Sequence, residues 1–158
     1  MYLAGSSIWY CKIDYICKEC GIVAFFAFMD IELFLQMLNI DSTSGKEAEF
    51  ADFLADKLEG PGRHVQTFEV GDGTRNILVS WGTPKVVFCT HLDTVPPYIS
   101  PSVQSESFFG RGTCDAKGQI FAMYEACKDL EAKGCSDFGL LLLSGEETGS
   151  FGAKAFNS

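Results

Sequence analysis

Lys85-Val86-Val87-Phe88-Cys89-Thr90-His91-Leu92-Asp93 (KVVFCTHLD) is an apolar run that stops abruptly at a histidine and an aspartate. A continuous apolar run of this length reads as a strand buried in a central position of a sheet. Phe138–Ser144 (FGLLLLS) has the same character and gives way, after Gly145, to Glu146-Glu147. Between the two, from about Ala116 to Lys133, Ile120, Met123, Cys127 and Leu130 recur at helical spacing, and Gly134 follows the last turn. Strand, helix, strand in that order predicts parallel neighbours joined by a right-handed crossover. The expected fold class is therefore α/β, with a mostly parallel central sheet and flanking helices.

Outward from this unit, the earlier sequence supplies two helices and a hairpin. Asp30 is placed to cap a short helix carrying Ile31, Phe34, Leu35 and Leu38. Ser44-Gly45-Lys46-Glu47 has the spacing of a capping box, and the helix it opens presents Phe50, Ala51, Leu54 and Leu58 before Gly60-Pro61-Gly62. His64–Val70 and Arg75–Trp81, linked through Gly71-Asp72-Gly73, predict an amino-terminal hairpin. Leu92–Phe109, rich in Pro and Ser, reads as loop, and a further helix begins after Gly149.

Composition narrows the function classes. The chain has 158 residues, 47% of them hydrophobic and 21% charged, enough to bury a core. A formal net charge of -9 argues against nucleic acid or an anionic membrane as partner. The apolar run Gly21–Met29 is too short to span a bilayer. Seven cysteines without framework spacing indicate reduced thiols and a cytoplasmic setting. Residues 1–28 lack the regular periodicity of the remainder and are read as an atypical extension, with Met29 as the natural start. Cys17-Lys18-Glu19-Cys20, with Cys11 nearby, is a lone CxxC, and a zinc or redox module there is the weaker alternative.

Three polar clusters fall where a strand runs out or a helix starts: His91-Leu92-Asp93, Asp115, and Glu146-Glu147. In open α/β sheets, sites assemble beyond the carboxyl ends of the strands, so parallel strands would bring these clusters to one edge. Histidine with carboxylates is a donor set for a cation such as Zn²⁺. His91 offers an imidazole nitrogen, and Asp93, on the same face two residues on, can accept the other ring N–H. Asp115 has two oxygens and could bridge two cations. One carboxylate of Glu146-Glu147 can bind metal while the other takes a proton from water, the division of labour of metal-assisted hydrolysis.

His91-Leu92-Asp93-Thr94-Val95-Pro96-Pro97, Gly110-Arg111-Gly112-Thr113-Cys114-Asp115-Ala116-Lys117-Gly118 and Ser144-Gly145-Glu146-Glu147-Thr148-Gly149-Ser150 resemble, in this order, the zinc metallopeptidase and deacylase family. That family includes acetylornithine deacetylase, succinyl-diaminopimelate desuccinylase, aminoacylase and glutamate carboxypeptidase. The resemblance runs from about Asp30 to the last residue. It implies that His91 binds one metal, Asp115 bridges two, Glu147 binds the other, Glu146 is the general base and Asp93 orients His91. It also implies two Zn²⁺ ions (with Co²⁺ or Mn²⁺ as substitutes), a cis peptide after Asp115, a substrate that is an N-acyl amino acid or small peptide, and a homodimeric parent enzyme.

The family takes one more carboxylate and one more histidine from sequence beyond Glu147, and an inserted lid domain. The expectation is thus that residues 29–158 are the amino-terminal part of the catalytic domain, truncated before its completion and inactive alone. A non-catalytic interaction module is the alternative function.

Overall fold

The computed structural model describes residues 30–157 apart from Asp72 and Glu106. The readings made for residues 1–28, for Met29 and for the Cys17–Cys20 pair lie outside these described residues. In chain order the elements are α1 (Ile31–Asn39), α2 (Ala48–Leu58), β1 (Arg63–Gly71), β2 (Thr74–Gly82), β3 (Val86–His91), β4 (Ser102–Gln104), β5 (Ser107–Phe109), α3 (Lys117–Ala132), β6 (Asp137–Leu143) and α4 (Phe151–Phe156). None of the described helices is long and apolar enough to cross a membrane.

The main sheet has the order β1-β2-β6-β3. β3 and β6 are parallel, with His91 opposite Leu143, so both strands run out at the same edge. The parallel content expected of the sheet resides in this pair. β1–β2 and β2–β6 are antiparallel, because the hairpin joins the sheet through β2 instead of standing apart from it. The α/β architecture with flanking helices and an amino-terminal hairpin is as the sequence predicts, and the sheet is mixed.

Directly opposed residues of neighbouring strands share a face. Register places Ile77 opposite Leu142, Val79 opposite Leu140 and Trp81 opposite Phe138, and all six are buried. Phe50, Leu54 and Leu58 of α2 and Ile120, Phe121 and Cys127 of α3 complete one core with them. α1 adds Leu33, Phe34, Met37 and Leu38, a stripe shifted from the expected one because Ile31 and Leu35 lie only half-buried. Asp30 caps α1 as expected, its carboxylate accepting from Leu33 N at 2.9 Å.

Three local expectations are corrected. β3 is an edge strand among the described residues, not a central one: Val86 and Val87 are 58% and 45% exposed, since only β6 pairs with them. Leu92–Phe109 is not uniform loop, for it folds back as the β4–β5 hairpin. The capping box does not form. Ser44 Oγ donates to Asp93 Oδ2 at 2.9 Å, Glu47 Oε2 accepts from Gly45 N at 2.8 Å, and neither side chain caps α2. Both side chains are drawn instead toward the end of β3 and the loop after β6.

Candidate metal centre

β3 delivers His91 as its last residue, and the chain turns at Leu92-Asp93, whose side chains are fully buried. Asp93 is the hub. Its Oδ1 accepts from Glu146 N at 2.9 Å and its Oδ2 from Glu147 N at 3.1 Å and Ser44 Oγ. One carboxylate thereby fixes the loop after β6 to the end of β3. Burial pushes the Asp93 carboxyl up, and hydrogen bonds from His91, the Glu146 amide, Ser44 and the Glu147 amide reverse this, leaving it below its ordinary value.

His91 is buried, with Nε2 2.9 Å from Asp115 Oδ1 and Nδ1 2.9 Å from the backbone oxygen of Asp93. The Asp93 carboxylate lies farther from Nδ1, at 3.4 Å, so the carbonyl is the ring's nearer partner. A carbonyl only accepts, hence Nδ1 carries a proton and Nε2 is the nitrogen turned toward the carboxylates. Burial lowers the His91 pKa, but the two aspartates outweigh it and raise the value to about 9. Burial, with the charges of Asp115, Glu146 and Asp93, pushes the Glu147 carboxyl up against the pull of His91.

Asp115 precedes α3 and is exposed, and the Asp115–Ala116 peptide is cis, as the resemblance implies. Pro96–Pro97 is cis as well. Ala116, not Asp115, occupies the cap position of α3, so the Asp115 carboxylate is free of helix capping and faces His91. Gln119 Nε2 lies 3.5 Å from Asp115 Oδ1, and Thr90 Oγ1 donates to Gln119 Oε1 at 3.0 Å, tying α3 to β3 behind the site.

All five residues singled out in the sequence therefore come to one edge of the sheet. Donor atoms of His91, Glu146 and Glu147 lie within 4.8 Å of one another, and Asp115 joins them through His91. A cleft of about 230 Å³ opens between the 110–115 loop and Glu147. One imidazole nitrogen and several carboxylate oxygens this close together fit a divalent cation. His64, by contrast, is exposed on β1. Sequence reading missed the part of Ser44 and Glu47 at this site. Their S-x-x-E spacing was the available signal, and it pointed to a helix cap.

Comparison with known proteins fits this geometry. The model of peptidase family M20/M25/M40 matches residues 87–158, which hold all five site residues. A peptidase M20 domain-containing protein of Schizosaccharomyces pombe is 34% identical over 134 residues, covering 78% of this chain and 33% of that protein. A probable carboxypeptidase of Aspergillus clavatus is 36% identical over 137 residues, covering 77% of this chain and 30% of that protein. Among solved structures, a tripeptidase from Staphylococcus aureus superposes with a TM-score of 0.70 at 27% identity, covering 81% of this chain and 39% of the tripeptidase. Aminopeptidase PepT from Bacillus cereus gives 0.67 at 28% identity, covering 79% of this chain and 38% of its own. The chain spans about a third of the length of the curated relatives it matches. The three motifs, in order and converging on one sheet edge, all lie within the segment that matches peptidase family M20/M25/M40.

Proposed function

We propose that this chain contributes the amino-terminal half of a metal-dependent active site that hydrolyses an amide bond in small peptides or N-acyl amino acids. One observation carries the reading: His91, Glu146 and Glu147 present donor atoms within 4.8 Å of one another, with Asp115 hydrogen-bonded to His91. The similar proteins named above, a tripeptidase, an aminopeptidase and a probable carboxypeptidase, all carry names that concern peptide bonds.

His91 and Asp115 would hold one divalent cation, and Asp115 and Glu147 a second, with Zn²⁺ favoured by the mixed nitrogen and oxygen donors and Co²⁺ or Mn²⁺ as substitutes. When bound, such ions supply Lewis-acid polarisation of the scissile carbonyl and lower the pKa of water. Glu146 is exposed beside His91 and Glu147 and would take the proton of the attacking water and return it to the leaving amine. Asp93 holds His91 through its carbonyl and holds Glu146 and Glu147 through their amides. Each cation would have two ligands among the described residues, and a catalytic zinc keeps about three. Weak metal binding by this chain alone follows. The cytoplasm is the proposed setting, supported by the free thiols of Cys89, Cys127 and Cys135.

The test is Co²⁺ titration of the chain, followed by assay of the full-length gene product on N-acyl amino acids and di- and tripeptides with and without chelator. Binding that depends on His91 and hydrolysis lost in Glu146→Gln are expected. Hydrolysis that persists in Glu146→Gln or in chelator would refute the reading.

A further inference from the structure

Asp93 is not the only buried carboxylate that grips the loop after β6. Glu47 is 1% exposed. Its Oε2 accepts from Gly45 N at 2.8 Å, and the amide of Gly145 also hydrogen-bonds to this carboxylate. Three successive amides, those of Gly145, Glu146 and Glu147, therefore all end on buried carboxylates. A capping glutamate would sit at the surface. Burying one is costly unless its oxygens are occupied, and here they are occupied by backbone donors from two separate loops.

The turn that bears Glu47 is itself fixed to the end of β3. Ser44 Oγ donates to Asp93 Oδ2 at 2.9 Å, Ser44 N to Thr94 O at 3.1 Å, Thr94 N to Ser42 O at 2.9 Å, and Ser42 Oγ to Leu92 O at 2.9 Å. Residues 42–47, the end of β3 and the loop after β6 thus form one hydrogen-bonded block. Glu47 reaches that block from a second hollow, about 310 Å³, bordered by Ser44, Thr74, Gly145 and Phe151. This hollow shares no lining residue with the cleft of Asp115 and Glu147, so Glu47 acts on the site through the loop, not by touching a ligand in the cleft.

We propose that Glu47 is a positioning residue of the metal centre: by holding the Gly145 amide it sets the direction in which Glu146 and Glu147 present their carboxylates. The proposal rests on the reading of the centre given above, yet its effect on the loop is measurable without metal.

The experiment is amide hydrogen exchange by NMR on the whole chain, for wild type, Glu47→Ala and Glu47→Gln, followed by Co²⁺ titration of the same samples. In Glu47→Ala, exchange at Gly145, Glu146 and Glu147 should quicken by about ten-fold or more, with Leu140 and Leu142 of β6 unchanged. Glu47→Gln keeps an acceptor oxygen and should restore most of the protection. Co²⁺ affinity should fall by about ten-fold in Glu47→Ala and recover in Glu47→Gln. Unaltered exchange at the three amides, or unaltered Co²⁺ affinity with wild type binding through His91, overturns the proposal. Wild type that binds no Co²⁺ through His91 overturns the metal-centre reading, and the role of Glu47 toward that centre with it, even where the exchange effect is present. Should Glu47→Ala fail to fold, Glu47→Asp withdraws the carboxylate by one methylene and takes its place, with the same expected and overturning results.

Discussion

The Nε2 atom of His91 lies 2.9 Å from Oδ1 of Asp115, while its Nδ1 lies 2.9 Å from the backbone oxygen of Asp93. Both partners are acceptors at neutral pH, so in the absence of a cation the ring holds protons on both sides. The His91 pKa of about 9 stands above its ordinary 6.5, burial opposing the shift and the two aspartates driving it. A raised folded-state value stabilises the protein fully below about pH 6.5, and that contribution is lost as pH rises through about 9. Thermal melts of the metal-free chain should therefore show a wild-type advantage over His91→Gln that is largest in acid and shrinks toward pH 9. An advantage that grows with pH contradicts the assignment. A cation arriving at Nε2 must displace its proton, so calorimetric titration with Co²⁺ at neutral pH should release about one proton, visible as a dependence of heat on buffer.

Asp93 accepts three hydrogen bonds with no exposure to solvent. Asp93→Asn keeps the shape but turns an NH₂ toward one of these donors. An orphaned buried donor costs about 1–3 kcal/mol, so urea unfolding of Asp93→Asn should show a loss of about 2–3 kcal/mol. Co²⁺ affinity should drop in the same variant, since the amides of both Glu146 and Glu147 lose their anchor. A loss below about 0.5 kcal/mol, the range of an ordinary surface change, contradicts the hub role.

The strand, helix, strand unit was legible because its signals are local: apolar runs of strand length, helical spacing in α3, and polar residues at the strand ends. Convergence of His91, Asp115 and Glu147 was legible by the same route, through the parallel pairing of β3 with β6. The role of Ser44 and Glu47 was not. Their spacing suits a capping box, and only the approach of Asp93, 49 residues away from Ser44, converts that hydroxyl from a backbone cap into a donor to a buried carboxylate. The edge position of β3 was likewise hidden, since an apolar run reports hydrophobicity and not the number of neighbouring strands.

Gly118 lies in the first turn of α3, directly behind the Asp115 loop. In an exposed helix, glycine to alanine is stabilising by about 1 kcal/mol. Here a Cβ would stand 2.1 Å from the backbone oxygen of Thr113, which cannot rotate away as a side chain would. Gly118→Ala should therefore reverse the usual sign and destabilise by about 1–3 kcal/mol. It should also weaken Co²⁺ binding, because relief of the clash moves the peptide segment that carries Asp115. A stabilised variant in thermal melts would show that the loop is not packed against α3 in this way.

Val86 and Leu142 test the position of β3 in the sheet. Both belong to apolar runs that look alike in sequence, and both lie in the parallel pair. Leu142 has no exposure and sits against Ile77 in the core, whereas Val86 is 58% exposed. Truncating a fully buried leucine loses its transfer free energy and leaves a cavity, so Leu142→Ala should cost about 2–5 kcal/mol. Val86→Thr keeps the branched shape that suits a strand and places its hydroxyl where water can reach it, so the change should stay within about 0.5 kcal/mol. Urea midpoints of the two variants decide the matter: a cost for Val86→Thr approaching that of Leu142→Ala would mean that β3 is covered in solution, as its sequence alone suggests.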